Sequence, residues 1–228
     1  MNLPNTISAA RIVTAPLVAI LPFLPNPTWR AVGFLLFLSS AISDHIDGRI
    51  ARSRGLVTDL GKLLDPIADK LLLVATFIPT FVMMAPDGDW LLGLIPGIEG
   101  RSTYPFRTFG VEAVWFPWWI LLPIVAREIF ITWFRTYAKA RGVIVPAQPL
   151  GRWKAVFQYI WMGAAYFWFT QRLLMDQGRF TGAGADLTAQ LVGSLGTIAM
   201  GVAFVLTLGS LTGYLRKHAD VFTRPRTS

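Results

Sequence analysis

Four aspartates stand at the ends of two strongly apolar segments of the chain, and the first and the last of them are 25 positions apart. Asp44 and Asp47 are three positions apart, and the second pair, Asp65 and Asp69, is four positions apart. Both spacings place the two carboxylates of a pair on one face of a helix. Four carboxylates that converge on one cavity repel one another, and oxygen ligands of this kind favour Mg²⁺ or Mn²⁺. Two such cations about 4 Å apart would clamp a phosphate group.

Small and basic residues accompany the aspartates. Gly48, Ala51 and Gly61 remove side-chain bulk, so a flat or bulky ligand could approach the backbone beside them. Small residues at these positions could equally serve only to let two helices pack closely. Arg52 can pair with the phosphate of such a ligand.

The elements that must position these residues are transmembrane helices. The chain is 54% hydrophobic with a mean hydropathy of +0.51, which is typical of a membrane protein. A helix needs about 20 residues to cross the hydrocarbon core of a bilayer. Six segments are candidates: 12–24, 29–47, 65–85, 114–134, 156–174 and 187–214. We therefore expect an all-α integral membrane protein with six transmembrane helices in a single domain, residues 1–228.

Two connecting parts carry further expectations. Asn5, Ser8 and Arg11 precede the first span and predict a short amphipathic helix on the membrane surface, although a flexible terminus would fit the same pattern. Residues 86–112 form a long polar connection that contains several glycines and prolines. The chain contains no cysteine, so disulfides and cysteine-ligated metals are excluded.

Lysine and arginine predict the orientation in the membrane. With the N-terminus inside, the inner segments and helix ends hold sixteen of the 21 basic residues, and the outer side holds five. Both termini and the aspartates are then cytoplasmic, and residues 86–112 lie outside. We expect a multi-pass protein of a bacterial inner membrane, and a net charge of +8 that contacts anionic lipid rather than nucleic acid.

The spacing of the polar residues resembles a known signature. Eight residues stand in the pattern Asp44-x2-Asp47-Gly48-x2-Ala51-Arg52-x8-Gly61-x3-Asp65-x3-Asp69. This pattern is similar at every fixed position to that of the CDP-alcohol phosphatidyltransferase family. The resemblance implies six transmembrane helices around a polar cavity open to the cytoplasm. It also implies transfer of a phosphatidyl group from CDP-diacylglycerol to an alcohol, with release of CMP.

The resemblance also implies roles for individual residues. The metal ligands would be Asp44, Asp47, Asp65 and Asp69, which would bind two divalent cations. Asp69 would in addition be the general base that accepts the proton of the alcohol. Gly48, Ala51 and Gly61 would line the cytidine site, and Arg52 would contact the phosphates of the nucleotide.

Further motifs resemble one branch of this family, the phosphatidylglycerophosphate synthases, which use glycerol 3-phosphate. The motifs are LPN…S…R at 3–11, LDPIADK at 64–70, AREI at 126–129 followed by Arg135, and GRWKA at 151–155. The last departs from the GKxKT pattern of the branch, because Arg152 replaces lysine and Ala155 replaces threonine. The resemblance implies that the acceptor is glycerol 3-phosphate.

Basic residues of the fourth and fifth segments support an anionic acceptor. Arg127 and Glu128 follow 13 uncharged residues, at a depth where charged side chains are costly. The expected ligands of the acceptor phosphate are Arg127, Arg135, Arg141, Arg152 and Lys154. Topology alone would explain the basic residues in the loops, and Arg127 and Glu128 could instead orient helices within the bundle.

Other interpretations stay open at this stage. A related enzyme could use inositol phosphate, or phosphatidylglycerol as a cardiolipin synthase does. A cation transporter could also place carboxylates in a membrane. Five glycines of the last segment, Gly193, Gly196, Gly201, Gly209 and Gly213, favour close helix packing and suggest a homodimer.

Overall fold

The computed structural model describes residues 3–53, 58–94, 103–143 and 149–217. The described chain is mainly helical, with one small β-hairpin. Its elements are α1 (Leu3–Ile20), α2 (Pro27–Ser53), α3 (Asp59–Met84), α4 (Gly88–Gly93), β1 (Phe106–Thr108), β2 (Val111–Val114), α5 (Trp118–Lys139), α6 (Pro149–Asp176) and α7 (Ala183–Lys217). Each of the six predicted apolar segments lies mostly within one of the six long helices.

Three of the described segments are long and apolar enough to cross a membrane. They are Asn5–Phe23, Leu63–Met84 and Ala183–Lys217. The helices α2, α5 and α6 are as long, but each carries several charged residues, which lie mainly toward the C-terminal end of α2, from Arg127 onward in α5 and near both ends of α6. Length and composition therefore single out α1, α3 and α7.

The start of the chain differs from the expectation of a separate surface helix, which is wrong. α1 is one continuous helix that runs from Leu3 to Ile20 and passes into a single 3-10 turn. Asn5, Ser8 and Arg11 are buried, with exposed fractions of 4%, 0% and 3%. They are polar because they pack against polar residues of α2, of α3 and of the N-cap of α3, and not because they face a membrane surface.

The connection between α3 and α5 contains structure that the sequence did not predict. β1 and β2 pair in antiparallel fashion around a turn at Gly110, where φ is +87°. The backbone N–H groups of Tyr104 and Phe116 donate to the carbonyl groups of Met83 and Met84, over 2.7 and 2.8 Å. These bonds fix the hairpin to the end of α3.

The hairpin also explains two of the glycines in α7. A Cβ atom at Gly193 would collide with the carbonyl oxygen of Arg107, and one at Gly196 would collide with the ring of Phe106. These glycines let β1 lie directly on α7. Close packing was predicted for them, and within the described chain the packing partner is β1.

The helices alternate in direction, so the molecule has two chemically different ends. One end holds the hairpin, the start of α2 and the end of α6, where Arg30 Nη1 donates to the carbonyl oxygen of Phe169 over 2.9 Å. Between the ends lies an aromatic core, in which the rings of Phe116 and Trp161 are 4.5 Å apart. The other end holds Asp44, Asp65 and Asp69, and we call it the polar end.

Candidate active site

The polar end is organised by the first turn of α3. Thr58 is the N-cap residue of this helix, and its hydroxyl accepts a hydrogen bond from the N–H of Gly61 over 3.0 Å. Asn5 Nδ2 of α1 donates to the same hydroxyl over 2.9 Å. A Cβ atom at Gly61 would lie 2.7 Å from Asn5 Oδ1, so glycine is what allows α1 to approach α3 this closely.

One arginine links the carboxylates of two helices. Arg11 Nη1 donates to Asp44 Oδ1 over 2.5 Å and to Asp69 Oδ1 over 3.0 Å. The arginine side chain is 3% exposed, whereas those of Asp44 and Asp69 are 29% and 51% exposed. The two carboxylates therefore converge on one positive charge and remain open to solvent on their other sides.

α1 also contacts a third predicted ligand. Ser8 Oγ donates to Asp65 Oδ1 over 2.5 Å. Ser8 and Arg11 are three positions apart on α1, and Asp65 and Asp69 are four apart on α3, so the two polar faces run alongside each other. Sequence reasoning did not assign Ser8 or Arg11 to the site, although their helical spacing matched that of the aspartates.

The remaining signature residues of α2 are described by their backbone only. Asp47, Gly48, Ala51 and Arg52 lie in the last turns of α2, and their side chains fall outside the described residues. Their helical positions place Asp47 one turn after Asp44. Among side chains that the structure describes, no group of three acidic or histidine residues is arranged to hold a metal ion.

The donor set nevertheless fits a hard cation. Asp44 and Asp69 come from different helices and point oxygen atoms at the same guanidinium nitrogen. Carboxylate oxygens are the ligands that Mg²⁺ and Mn²⁺ prefer. A location that draws two carboxylates onto one positive charge is electrostatically suited to a divalent cation.

A second polar cluster joins α5, α6 and α7. Glu128 Oε1 accepts a hydrogen bond from Arg127 Nη1 over 3.1 Å and a second one from Lys154 Nζ. Arg127 Nε donates to Ser210 Oγ over 3.2 Å. Arg127 and Lys154 are 7% and 3% exposed, so two cations are buried around one carboxylate.

The other three predicted acceptor ligands lie apart from this cluster. Arg135 donates to Tyr214 Oη over 2.6 Å. The guanidinium of Arg141 lies 4.0 Å from the ring centre of Tyr137. Arg152 is exposed and lines a groove together with Asp44. The structure thus brings together Arg127 and Lys154 and distributes the rest over the polar end.

That groove runs between α2 and α6 and has a volume of about 960 Å³. Its walls are apolar, and Asp44 and Arg152 are the charged residues that line it. The apolar residues include Phe34, Phe37, Leu38, Ile42, Val156, Ile160, Gly163 and Phe167. The groove can therefore accept hydrocarbon along its length and a charged group at its polar end.

Comparison with known proteins identifies similar sequences. The family model for CDP-alcohol phosphatidyltransferase matches residues 1–209 of the chain. A relative from Rickettsia typhi, named CDP-diacylglycerol–glycerol-3-phosphate 3-phosphatidyltransferase, is 49% identical over 157 residues, which is 69% of this chain and 71% of the relative.

Two more distant relatives have names that differ from each other. A Bacillus subtilis protein with the same name as the Rickettsia protein is 30% identical over 175 residues, covering 72% of this chain and 75% of the relative. A cardiolipin synthase (CMP-forming) from Oryza sativa is 29% identical over 168 residues, covering 69% of this chain and 43% of the relative.

Proposed function

Because this chain belongs to the CDP-alcohol phosphatidyltransferase family, we propose that it transfers the phosphatidyl group of CDP-diacylglycerol to glycerol 3-phosphate. The products are phosphatidylglycerol phosphate and CMP. The names of the Rickettsia and Bacillus relatives support this acceptor. The structural observation that carries the proposal is that Asp44 and Asp69, two signature residues from different helices, both pair with the guanidinium group of Arg11.

The family generally depends on divalent cations. In our proposal two such ions, Mg²⁺ or Mn²⁺, are held by Asp44, Asp47, Asp65 and Asp69. When bound, they would supply positive charge that offsets the charge of the donor's pyrophosphate. The support for this assignment is the oxygen-only donor set and the attraction of the site for positive charge.

Asp69 is the proposed general base. Its carboxylate is 51% exposed, so the hydroxyl of an acceptor in the cavity can reach it. As the hydroxyl oxygen attacks the phosphorus that carries diacylglycerol, its proton passes to Asp69 Oδ, and CMP leaves from the opposite side. Arg11 Nη1 stays within hydrogen-bond distance of the same carboxylate and orients it.

The nucleotide would lie along the end of α2. Gly48 and Ala51 leave space for cytidine there, and Arg52 follows them on the same helix and pairs with the phosphates. Gly61 was expected to line the same subsite. Its contact with Asn5 supports a packing role for Gly61 between α1 and α3.

The acceptor phosphate would bind Arg127 and Lys154, the two expected ligands that lie in one cluster. A small dianion has little apolar surface, so charge-assisted hydrogen bonds must supply most of its affinity. Arg135, Arg141 and Arg152 would attract the acceptor to the polar end without holding it. The acyl chains of the donor would occupy the groove between α2 and α6, since its walls are apolar.

The membrane arrangement that we propose has six spanning helices. α2, α5 and α6 would join the three segments that meet the length and hydropathy requirement, because most charges of α2 and α5 lie toward the polar end and those of α6 lie near its two ends. The distribution of basic residues places the polar end and both termini in the cytoplasm of a bacterial cell, at the inner membrane. The single domain, residues 1–228, would form a homodimer, and Gly201 and Gly209 of α7, which have open space beside them, suit its interface.

CMP release from purified protein tests the proposed function. CDP-diacylglycerol and divalent cations are supplied with glycerol 3-phosphate, inositol phosphate or phosphatidylglycerol in parallel reactions. Release that requires glycerol 3-phosphate supports the proposal. Preference for phosphatidylglycerol would favour the activity named for the Oryza relative. Cation flux in liposomes without CMP release would favour a transporter.

A further inference from the structure

Two cations of the second cluster depend on one carboxylate. Arg127 of α5 and Lys154 of α6 are separated by 27 positions in sequence, and both donate to the same oxygen atom, Glu128 Oε1. Among the ion pairs of the described residues, Glu128 is the acidic partner of both. Glu128 itself is 31% exposed, whereas the cations are almost completely buried.

Burial makes this dependence strong. A buried cation without a partner is costly, and two like charges in contact with each other also repel. The carboxylate of Glu128 offsets both penalties. Without it, one of the two basic side chains would move away from the other, or Lys154 would lose its proton. Ser210 holds only Nε of Arg127, and it cannot replace the negative charge.

The cluster retains hydrogen-bonding capacity. A lysine ammonium group has three N–H donors and a guanidinium group has five, and Glu128 uses one donor of each cation. Nη2 of Arg127 points toward Gly151, where a Cβ atom would lie 3.3 Å from it. The absence of a side chain at Gly151 leaves space beside this nitrogen. With two cations and one carboxylate, the cluster has a net charge of +1.

We propose that Glu128 is a positioning residue for the acceptor: it holds Arg127 and Lys154 side by side as one cationic pair, and the pair binds the phosphate of the acceptor through its remaining N–H groups. The inference rests on the proposed function and extends it to a residue that does not itself touch the phosphate. It assigns affinity for the anion to the geometry of the pair rather than to the number of basic residues nearby.

Glu128→Gln tests the proposal. The substitution keeps the shape of the side chain and removes its charge, so the pair should separate. We expect the KM for glycerol 3-phosphate to rise about tenfold or more, because a charged hydrogen bond to phosphate is lost, while the KM for CDP-diacylglycerol stays within about twofold. Inorganic phosphate, used as a competitor of glycerol 3-phosphate, should lose inhibitory strength to the same degree.

Two further variants make the result specific. Glu128→Asp retains the charge on a side chain that is one methylene shorter, so it should recover part of the affinity for both anions and stay measurably weaker than the unmodified protein. Glu112→Gln removes an exposed carboxylate from β2, at the opposite end of the molecule, and should change neither constant. If the glutamine variant fails to fold, inhibition of the aspartate variant by inorganic phosphate decides the question, and an unchanged inhibition constant would contradict the proposal.

Other outcomes are equally decisive. An equal rise in both Michaelis constants would show a general structural role for Glu128. A fall in the KM for glycerol 3-phosphate would show that Glu128 competes with the phosphate instead of positioning its ligands. The proposed function fails separately, if the unmodified protein releases no CMP in response to glycerol 3-phosphate.

Discussion

Arg11 and Asp69 lie 58 positions apart in sequence, and Arg11 Nη1 donates to Asp69 Oδ1 over 3.0 Å. The same nitrogen reaches Asp44, so the first helix supplies a positive charge between two carboxylates that the proposed mechanism assigns to cation binding. The N-terminal helix is therefore part of the polar end and stabilises it.

Arg11→Gln should destabilise the cation-free protein. The substitution removes the charge that Asp44 and Asp69 share, which should cost about 1.5 kcal/mol, the low end for charged hydrogen bonds, because Asp69 is half exposed. The melting temperature in chelator should fall by roughly 3–6 °C. An excess of Mn²⁺ should reduce this difference, since the cation replaces the lost charge.

Thermal unfolding of Arg11→Lys, with and without chelator, is the matched control for that charge. Lysine keeps the positive charge but lacks the planar guanidinium group of arginine. The melting temperature of Arg11→Lys should therefore lie between those of the unmodified protein and Arg11→Gln. Identical melting temperatures for all three proteins in chelator would show that the ion pairs do not stabilise the fold.

Asp69→Asn should remove most of the turnover and leave donor binding largely intact. The amide cannot accept the proton of the attacking hydroxyl, and loss of a general base lowers rates by about 10²–10⁴-fold. Single-turnover CMP release gives the rate, and equilibrium binding of CDP-diacylglycerol gives the affinity. A collapse of affinity together with rate would make Asp69 primarily a metal ligand.

Asp47→Asn should abolish CMP release by weakening cation binding. A neutral amide is a poor substitute for a carboxylate ligand, and Asp47 lies one helical turn after Asp44. Binding of Mn²⁺, followed by electron paramagnetic resonance, should fall in the variant. Asp87→Asn, an exposed carboxylate near the hairpin, is the control and should bind Mn²⁺ like the unmodified protein. Full activity of Asp47→Asn at limiting cation would remove Asp47 from the site.

The parts of the fold that depend on local pattern could be predicted from the sequence. A run of apolar residues of membrane-spanning length is sufficient to locate a helix, and each predicted segment lies mostly within one. The hairpin was missed because β1 and β2 contain three and four residues, which is too short for an alternating pattern to be recognised. Its partners, Gly193 and Gly196, lie about 85 residues further along the chain.

The arrangement of the polar end depends on contacts between distant residues. Periodicity showed that Asn5, Ser8 and Arg11 share a helix face, but the same pattern fits a membrane surface and the polar face of another helix. Only the packing of α1 against α3 decides between them. Glu128 was likewise visible as a costly charge, but its contact with Lys154 was not predictable from their separation in sequence.

Arg127→Gln should impair the acceptor more than Arg135→Gln. Arg127 is buried beside Lys154, and its loss should raise the KM for glycerol 3-phosphate roughly ten- to 150-fold. Arg135 is exposed and donates to Tyr214, so its removal should change that constant by less than about fivefold. Initial rates against each substrate in turn measure both effects, and a larger effect at Arg135 would relocate the phosphate site toward α7.

The groove between α2 and α6 gives the last prediction. Gly163 lines it eleven residues after Arg152, or roughly 16 Å along the helix from the polar end. A Cβ atom there would lie 3.5 Å from Phe37 Cε1, so Gly163→Ala should be tolerated, whereas the longer side chain of Gly163→Leu should enter the groove.

Displacing about two methylene groups of an acyl chain costs about 1.6 kcal/mol, so the KM for a long-chain CDP-diacylglycerol should rise about 15-fold in the leucine variant. A dihexanoyl donor is too short to reach this depth, and its KM should not change. Equal effects on both donors, or none on the long-chain donor, would place the acyl chains elsewhere on the helix bundle.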